Sequence, residues 1–163
     1  MKRLILTRHA KSSWNHPGLD DHARPLNARG RKSAAAIGEW LRARSHVPDE
    51  IVSSSSQRTR ETCALLGFDV AARFTSRLYH ADPDQMLDVL QGCHGETVLM
   101  LGHNPGIAWM AEMLVKAPPL HPRFHDYPTC ATLVASLGID DWHAAKFGSA
   151  QTLDFVIPRD LLE

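Results

Sequence analysis

Hydrophobic positions along the chain follow two spacings. Leu4-Ile5-Leu6, Ile51-Val52 and Thr97-Val98-Leu99-Met100-Leu101 are short, continuous apolar runs of strand length, as expected for strands buried on both faces. Between them the spacing becomes helical. From Ala28 to Arg44 it puts Ala34, Ile37 and Leu41 on one face, with Asn27 as the N-cap. A second helix is predicted from about Gln57 to a stop at Gly67, a good C′ residue. Asp82-Pro83-Asp84-Gln85 has the order of an N-cap, a proline at N1 and a glutamine at N3. It opens a helix carrying Met86, Leu87 and Leu90, closed by Gly92. Asn104 and Pro105 predict the cap and first residue of a fourth helix, reaching about Val115. Pro118 to Pro128 reads as an irregular loop. Thr129 to Leu137, Trp142 to Phe147 and Thr152 to Ile157 read as strands joined by short turns.

Strands alternating with helices predict an α/β fold. It is a three-layer α/β/α sandwich with a mostly parallel central sheet and hairpin-connected strands at the end. No linker interrupts the pattern, so residues 1–163 read as a single domain.

Composition removes several functions. Lysine plus arginine balance aspartate plus glutamate at 18 each, which leaves no broad field for nucleic acid or an anionic membrane. No apolar run approaches a membrane span, and the few apolar residues before Arg8 are too short for a secretory signal. Cys63, Cys93 and Cys130 are odd in number and widely spaced, which predicts reduced thiols and a cytoplasmic setting. Pro122 between His121 and His125 prevents a regular helical pair, and neither a metal site nor a cofactor is expected.

Chemistry gathers at three strand-to-helix junctions. The first strand runs into Arg8-His9, the second passes through Ser53-Ser54-Ser55-Ser56 to Arg58, and the strand at Thr97–Leu101 runs into Gly102-His103. In open α/β sheets, ligands bind beyond the carboxyl ends of the strands. Singly, each residue has an ordinary explanation: Arg8-His9 as polar loop, Arg58 as a solvated helix residue, His103 as a cap. At equivalent topological positions the set points to a phosphoryl group. Guanidinium groups grip phosphate oxygens in a two-pronged way, and helix starts offer free N–H groups. A histidine beside the phosphorus can attack it through an unprotonated nitrogen.

The segments carrying these residues resemble a known family, the histidine phosphatases with the phosphoglycerate-mutase-like fold. Leu6-Thr7-Arg8-His9-Ala10-Lys11-Ser12-Ser13-Trp14-Asn15 is similar to its strand-plus-R-H signature. Ser55-Ser56-Gln57-Arg58-Thr59-Arg60-Glu61-Thr62 is similar to its second motif, with glutamate in place of glutamine, and Leu101-Gly102-His103-Asn104-Pro105-Gly106 to its G-H motif. The short length, the alanine after R-H, the G-H-N-P-G form, Arg24-Pro25-Leu26 with Gly30, and the tail from Tyr127-Pro128-Thr129 to Phe155-Val156-Ile157-Pro158-Arg159 resemble the branch of SixA phosphohistidine phosphatases. The resemblance implies His9 as nucleophile, with Arg8, Arg58 and His103 holding the phosphoryl group. It also implies Asn15 as a phosphate contact, while Ser12 and Arg24 read as structural.

One departure matters. Where many members carry a glutamate general acid three residues before a tyrosine, Thr75-Ser76-Arg77-Leu78-Tyr79 has Ser76. An alkoxide needs a proton to depart, whereas the imidazole of a phosphoramidate can be protonated without a dedicated carboxylic acid. The expected activity is therefore hydrolysis of phosphohistidine in a protein, and the short chain argues against mutase activity. A nonspecific small-molecule phosphomonoesterase and a phospho-binding module without turnover are the alternatives. Asp82 reads as an N-cap before it reads as an acid, and His80 as an exposed loop residue before it reads as one.

Overall fold

The computed structural model describes residues 1–162. Its elements are β1 (Lys2–Arg8), α1 (Ala28–Ala43), β2 (Glu50–Ser54), α2 (Gln57–Leu66), β3 (Ala72–Thr75), α3 (Pro83–Gln91), β4 (Thr97–Gly102), α4 (Gly106–Leu114), β5 (Thr132–Leu137), β6 (Gln151–Val156) and a short α5 (Pro158–Leu161). The strands form one six-stranded sheet in the order β3-β2-β4-β1-β5-β6. β3, β2, β4 and β1 run parallel; β5 is antiparallel to β1, and β6 to β5. Register positions the site. Arg8 lies beside Gly102, and Ser53 beside Leu101, so β1, β4 and β2 end along one rim.

Alternation of side chains along the strands builds two cores. Leu4, Leu6, Val98 and Met100 pack with Met86, Leu90, Ile107 and Met110 of α3 and α4. Ile5, Ile51, Leu99 and Leu101 pack with Ile37, Leu41 and Leu66 of α1 and α2. A sheet covered on both faces needs apolar residues at every position, which is why these strands read as unbroken runs. The caps hold as well. Asn27 Oδ1 accepts from Gly30 N at 2.8 Å, Asp82 Oδ1 accepts from Gln85 N at 2.8 Å, and Gly67 ends α2 with φ of 80°.

Four details depart from the sequence pattern. Asn104 does not cap α4: its amide donates to the carbonyls of Asp126 and Tyr127 at 3.0 and 3.1 Å, and α4 begins at Gly106. The distant carbonyls need a donor, and that demand outcompetes the local cap. Trp142 to Phe147 is not a strand. It is a 3-10 turn over Trp142–Ala144 and an irregular stretch, because the fully buried Trp142 donates from Nε1 to Gly95 O at 2.6 Å while the Asp141 side chain accepts from His143 N. β5 starts at Thr132 rather than Thr129, since Tyr127 and Cys130 adopt left-handed backbone with φ of 47° and 62°. β3 has no apolar signature, because none of its residues is buried.

Candidate active site

The carboxyl rim of the sheet is assembled by contacts between distant segments. His9 N donates to Gly102 O at 3.1 Å, and His9 O accepts from Cys130 N at 2.9 Å, so both sides of β1 clamp the residue after it. Ala10 N donates to Thr62 Oγ1 at 2.9 Å, and that hydroxyl donates to Arg58 O at 2.7 Å. The loop after β1 and the first turns of α2 thus share one hydroxyl. Glu61, the glutamate that replaces the family's glutamine, accepts from Leu26 N at 3.1 Å and ties the loop before α1 to α2. Gly30 completes the assembly. A Cβ there would lie 2.1 Å from the Lys11 carbonyl oxygen, so only glycine lets α1 dock on the segment following His9.

Arg8, His9, Arg58 and His103 line one cavity of about 360 Å³. His9 is 6 % exposed, and His103 and Arg58 are each 3 % exposed. The imidazole rings of His9 and His103 are 5.2 Å apart between centroids. His9 Nδ1 lies 2.7 Å from Ala10 O. A carbonyl only accepts, so Nδ1 carries the proton and the lone pair belongs to Nε2. Burial above all, with the charges of Arg8, Arg58 and Arg24, lowers the His9 pKa to about 3, although the bond to Ala10 O works the other way. Burial, then the neighbouring His9, Arg58 and His80, lower His103 to about 2 against the pull of Asp21. Both rings are neutral at neutral pH. The Nε2 of His103 pairs with Ser54 Oγ at 2.8 Å, which leaves Nδ1 buried and without a partner among the described residues. The Nε atoms of Arg8 and Arg58 are in the same condition. Three buried nitrogens around one cavity call for a guest rich in acceptor oxygens.

Sequence reasoning missed the group that closes the rim. Asp21, in a 3-10 turn over Asp21–Ala23, accepts through Oδ2 from Arg58 Nη2 at 3.0 Å, from Tyr79 OH at 2.5 Å and from His80 Nε2 at 3.2 Å. Its Oδ1 accepts from Arg24 Nε at 3.2 Å, and its backbone carbonyl accepts from Arg58 Nη1 at 2.7 Å. Burial alone would raise this carboxyl, but the hydrogen bonds from Tyr79 and Arg58, the Arg58 charge and Arg24 hold it well below the usual carboxylate range. The spacing Asp21 to Arg24 was the available signal, since i,i+3 residues on one turn can pair.

Arg24 both ties down the loop after His9 and reaches the cavity wall. Its Nη1 donates to Ser12 Oγ and Ser13 O at 2.8 and 3.1 Å, and its guanidinium lies 3.6 Å from the centre of the Trp14 ring. Asn15 is exposed and outside the cavity wall, where the stacked Trp14 and Arg24 form the rim. Ser76 is exposed and also outside the wall, and Asp82 is occupied as the cap of α3. His80, by contrast, lines the cavity. His121 and His125 pair separately, with Asp160 and Glu112.

Comparison with known proteins agrees with this architecture. The model of the histidine phosphatase superfamily (branch 1) matches residues 4–82. An uncharacterized protein of Mycobacterium tuberculosis is 33% identical over 159 residues, covering 93% of this chain and 99% of that protein. The structure of the protein assigned as phosphohistidine phosphatase SixA in Nakamurella multipartitia superposes with a TM-score of 0.80 at 28% identity, covering 96% of both chains. Its counterpart from Agrobacterium tumefaciens gives 0.78 at 25% identity, covering 96% of this chain and 98% of that one. The chain belongs to the histidine phosphatase superfamily, in its SixA-type branch, and is a phosphatase.

Proposed function

We propose that the protein hydrolyses phosphohistidine in a protein, by way of a phosphoryl group carried on His9. The observation that carries the mechanism is the hydrogen bond from His9 Nδ1 to Ala10 O, which gives Nε2 the lone pair inside a cavity walled by Arg8, Arg58 and His103. In the first step Nε2 attacks phosphorus, a P–N bond forms, and the bond to the substrate nitrogen breaks with its electron pair leaving on that nitrogen. In the second step water attacks phosphorus, releasing phosphate and restoring the neutral imidazole. Arg8 and Arg58 balance charge on the equatorial oxygens, and a partnerless His103 Nδ1 that carries a proton can donate to one of them. Asp21 competes with the substrate for Arg58 until oxygens from the phosphoryl group take over that guanidinium.

Two observations favour a phosphoprotein. Ser76 leaves the family's carboxylic acid position without an acid, which suits an imidazole leaving group. Trp14, on the cavity wall, is 78% exposed, and an exposed aromatic at a rim suits contact with a protein surface. The SixA-type neighbours bear the name of phosphohistidine phosphatases, which agrees with this choice. The test is incubation with a phosphohistidine-bearing protein labelled in its phosphoryl group. An acid-labile, base-stable label on the enzyme is expected, absent in His9→Ala. A label that persists in His9→Ala ends the assignment.

A further inference from the structure

The cavity wall contains a third imidazole, whose backbone is held in an uncommon conformation. His80 has φ of 54°, in the left-handed region that most side chains avoid. Residues kept there cost free energy and collect at functional sites, where the surroundings enforce them. Gly106 lies so close to the loop that a Cβ would sit 1.8 Å from the Ala81 carbonyl oxygen. The glycine of the G-H-N-P-G segment therefore lets the loop at His80-Ala81 lie against the junction carrying His103. The His80 and His103 rings end 5.3 Å apart between centroids, and His80 Nε2 is 3.2 Å from Asp21 Oδ2.

Other groups in the wall or bonded to it are poorly suited to releasing a proton. Asp21 is held ionised. Burial first, then the hydrogen bond to Asp21 and its charge, raise the Tyr79 hydroxyl, which keeps its proton. Arginines retain theirs at any working pH. His103 is lowered to about 2 by burial and its neighbours. Lys11 is exposed and, among the described residues, has no partner to orient its ammonium group. His80 differs from all of these. The Asp21 carboxylate accepts from its Nε2 and fixes the ring, while the second nitrogen remains for the substrate.

We propose that His80 is the general acid of this site, giving the Nδ1 proton to the leaving atom while Asp21 holds Nε2. This rests on the phospho-His9 reading and extends it to phosphomonoesters, whose alkoxide or phenoxide needs that proton. As the P–O bond breaks, its electron pair stays on the oxygen, which takes the Nδ1 proton, and His80 becomes neutral. In the second half-reaction the attacking water gives a proton back to Nδ1, so the cycle balances. Asp21 is a positioning residue here, acting through His80 and Arg58.

The experiment is a leaving-group series, from nitrophenyl phosphate through phenyl phosphate to an alkyl phosphate, on wild type, His80→Gln and His80→Asn. Asparagine tolerates left-handed backbone, so His80→Asn keeps the fold where glutamine fails to, as far-UV circular dichroism checks. The wild type should show a shallow dependence on leaving-group basicity. The variants should lose about 10²–10⁴-fold in kcat/KM on the alkyl ester, with the loss shrinking steadily toward nitrophenyl phosphate. An equal loss across the series, no loss at all, or a wild type already as steep as the variants overturns the proposal. In the same series, turnover that survives His9→Ala refutes the phospho-His9 reading instead, which keeps the two failures apart.

Discussion

At the amino ends of β2 and β4 the polar groups are consumed by the backbone. Glu50 Oε1 accepts from His94 N and Gly95 N at 2.7 and 2.6 Å, and the Asp49 carboxylate accepts from Glu96 N and Thr97 N at 3.1 and 2.8 Å. These N–H groups outweigh the effect of burial and hold the Asp49 carboxyl below its usual value. At the carboxyl ends of β1, β2 and β4 the accounting is left open. Arg8 Nε, Arg58 Nε, His103 Nδ1 and Asn104 Oδ1 are buried without partners among the described residues, and all four residues line the same cavity. Leaving a buried polar atom unpaired costs about 1–3 kcal/mol. The same fold therefore spends its polar groups on stability at one end and withholds them for a ligand at the other.

Substitution at the two ends should separate these uses. His9→Ala is expected to lower kcat by on the order of 10⁴-fold or more. Asp49→Ala should leave kcat intact but destabilise the fold by about 1 kcal/mol, because it removes two hydrogen bonds from backbone N–H groups to the carboxylate. Steady-state kinetics and urea unfolding of both variants make the comparison, and a large kinetic loss in Asp49→Ala would break it. Arg58→Ala comes next, with an expected loss of about 10²–10³-fold in kcat from a missing oxyanion donor. A loss confined to KM would mean that Arg58 binds substrate and transition state equally.

Acid should expose the cost of the open end. In the unfolded chain His9 and His103 take up protons near the ordinary histidine value of 6.5, but in the folded protein only near about 3 and about 2. Between those limits the unfolded state binds more protons, so stability is full above about 6.5 and falls as pH decreases toward 3. Chemical denaturation from pH 8 to 4 should show this fall, and His103→Gln should flatten it. A slope unchanged by the substitution would show that other groups carry it. The smallest effect is expected at Asn15. Asn15→Ala should change stability by less than about 0.5 kcal/mol and leave turnover as it was, and a tenfold loss of kcat would place Asn15 in the site.

How much of this was legible in the sequence follows from how local each feature is. Apolar runs and caps such as Asn27 and Asp82 depend on neighbours a few residues away, and they placed the helices and the three junctions correctly. Arg8, His9, Arg58 and His103 could be placed together because topology sends equivalent strand ends to one rim. Asp21 could not. Its role arises from meeting Arg58, Tyr79 and His80 across 37, 58 and 59 residues of separation. Asn104 failed for the same reason, since its partners at 126 and 127 lie beyond any local rule. β3 was silent because a half-buried edge strand needs no apolar repeat.

The central claim is a tautomer: His9 protonated on Nδ1 and nucleophilic at Nε2. It is tested most directly by trapping the phosphoenzyme in alkaline denaturant and identifying the phosphorylated nitrogen by two-dimensional proton–phosphorus NMR of the His9 peptide. The expected product is phosphohistidine bonded through Nε2. A phosphoryl group on Nδ1 of His9, or on any other residue, would contradict the account.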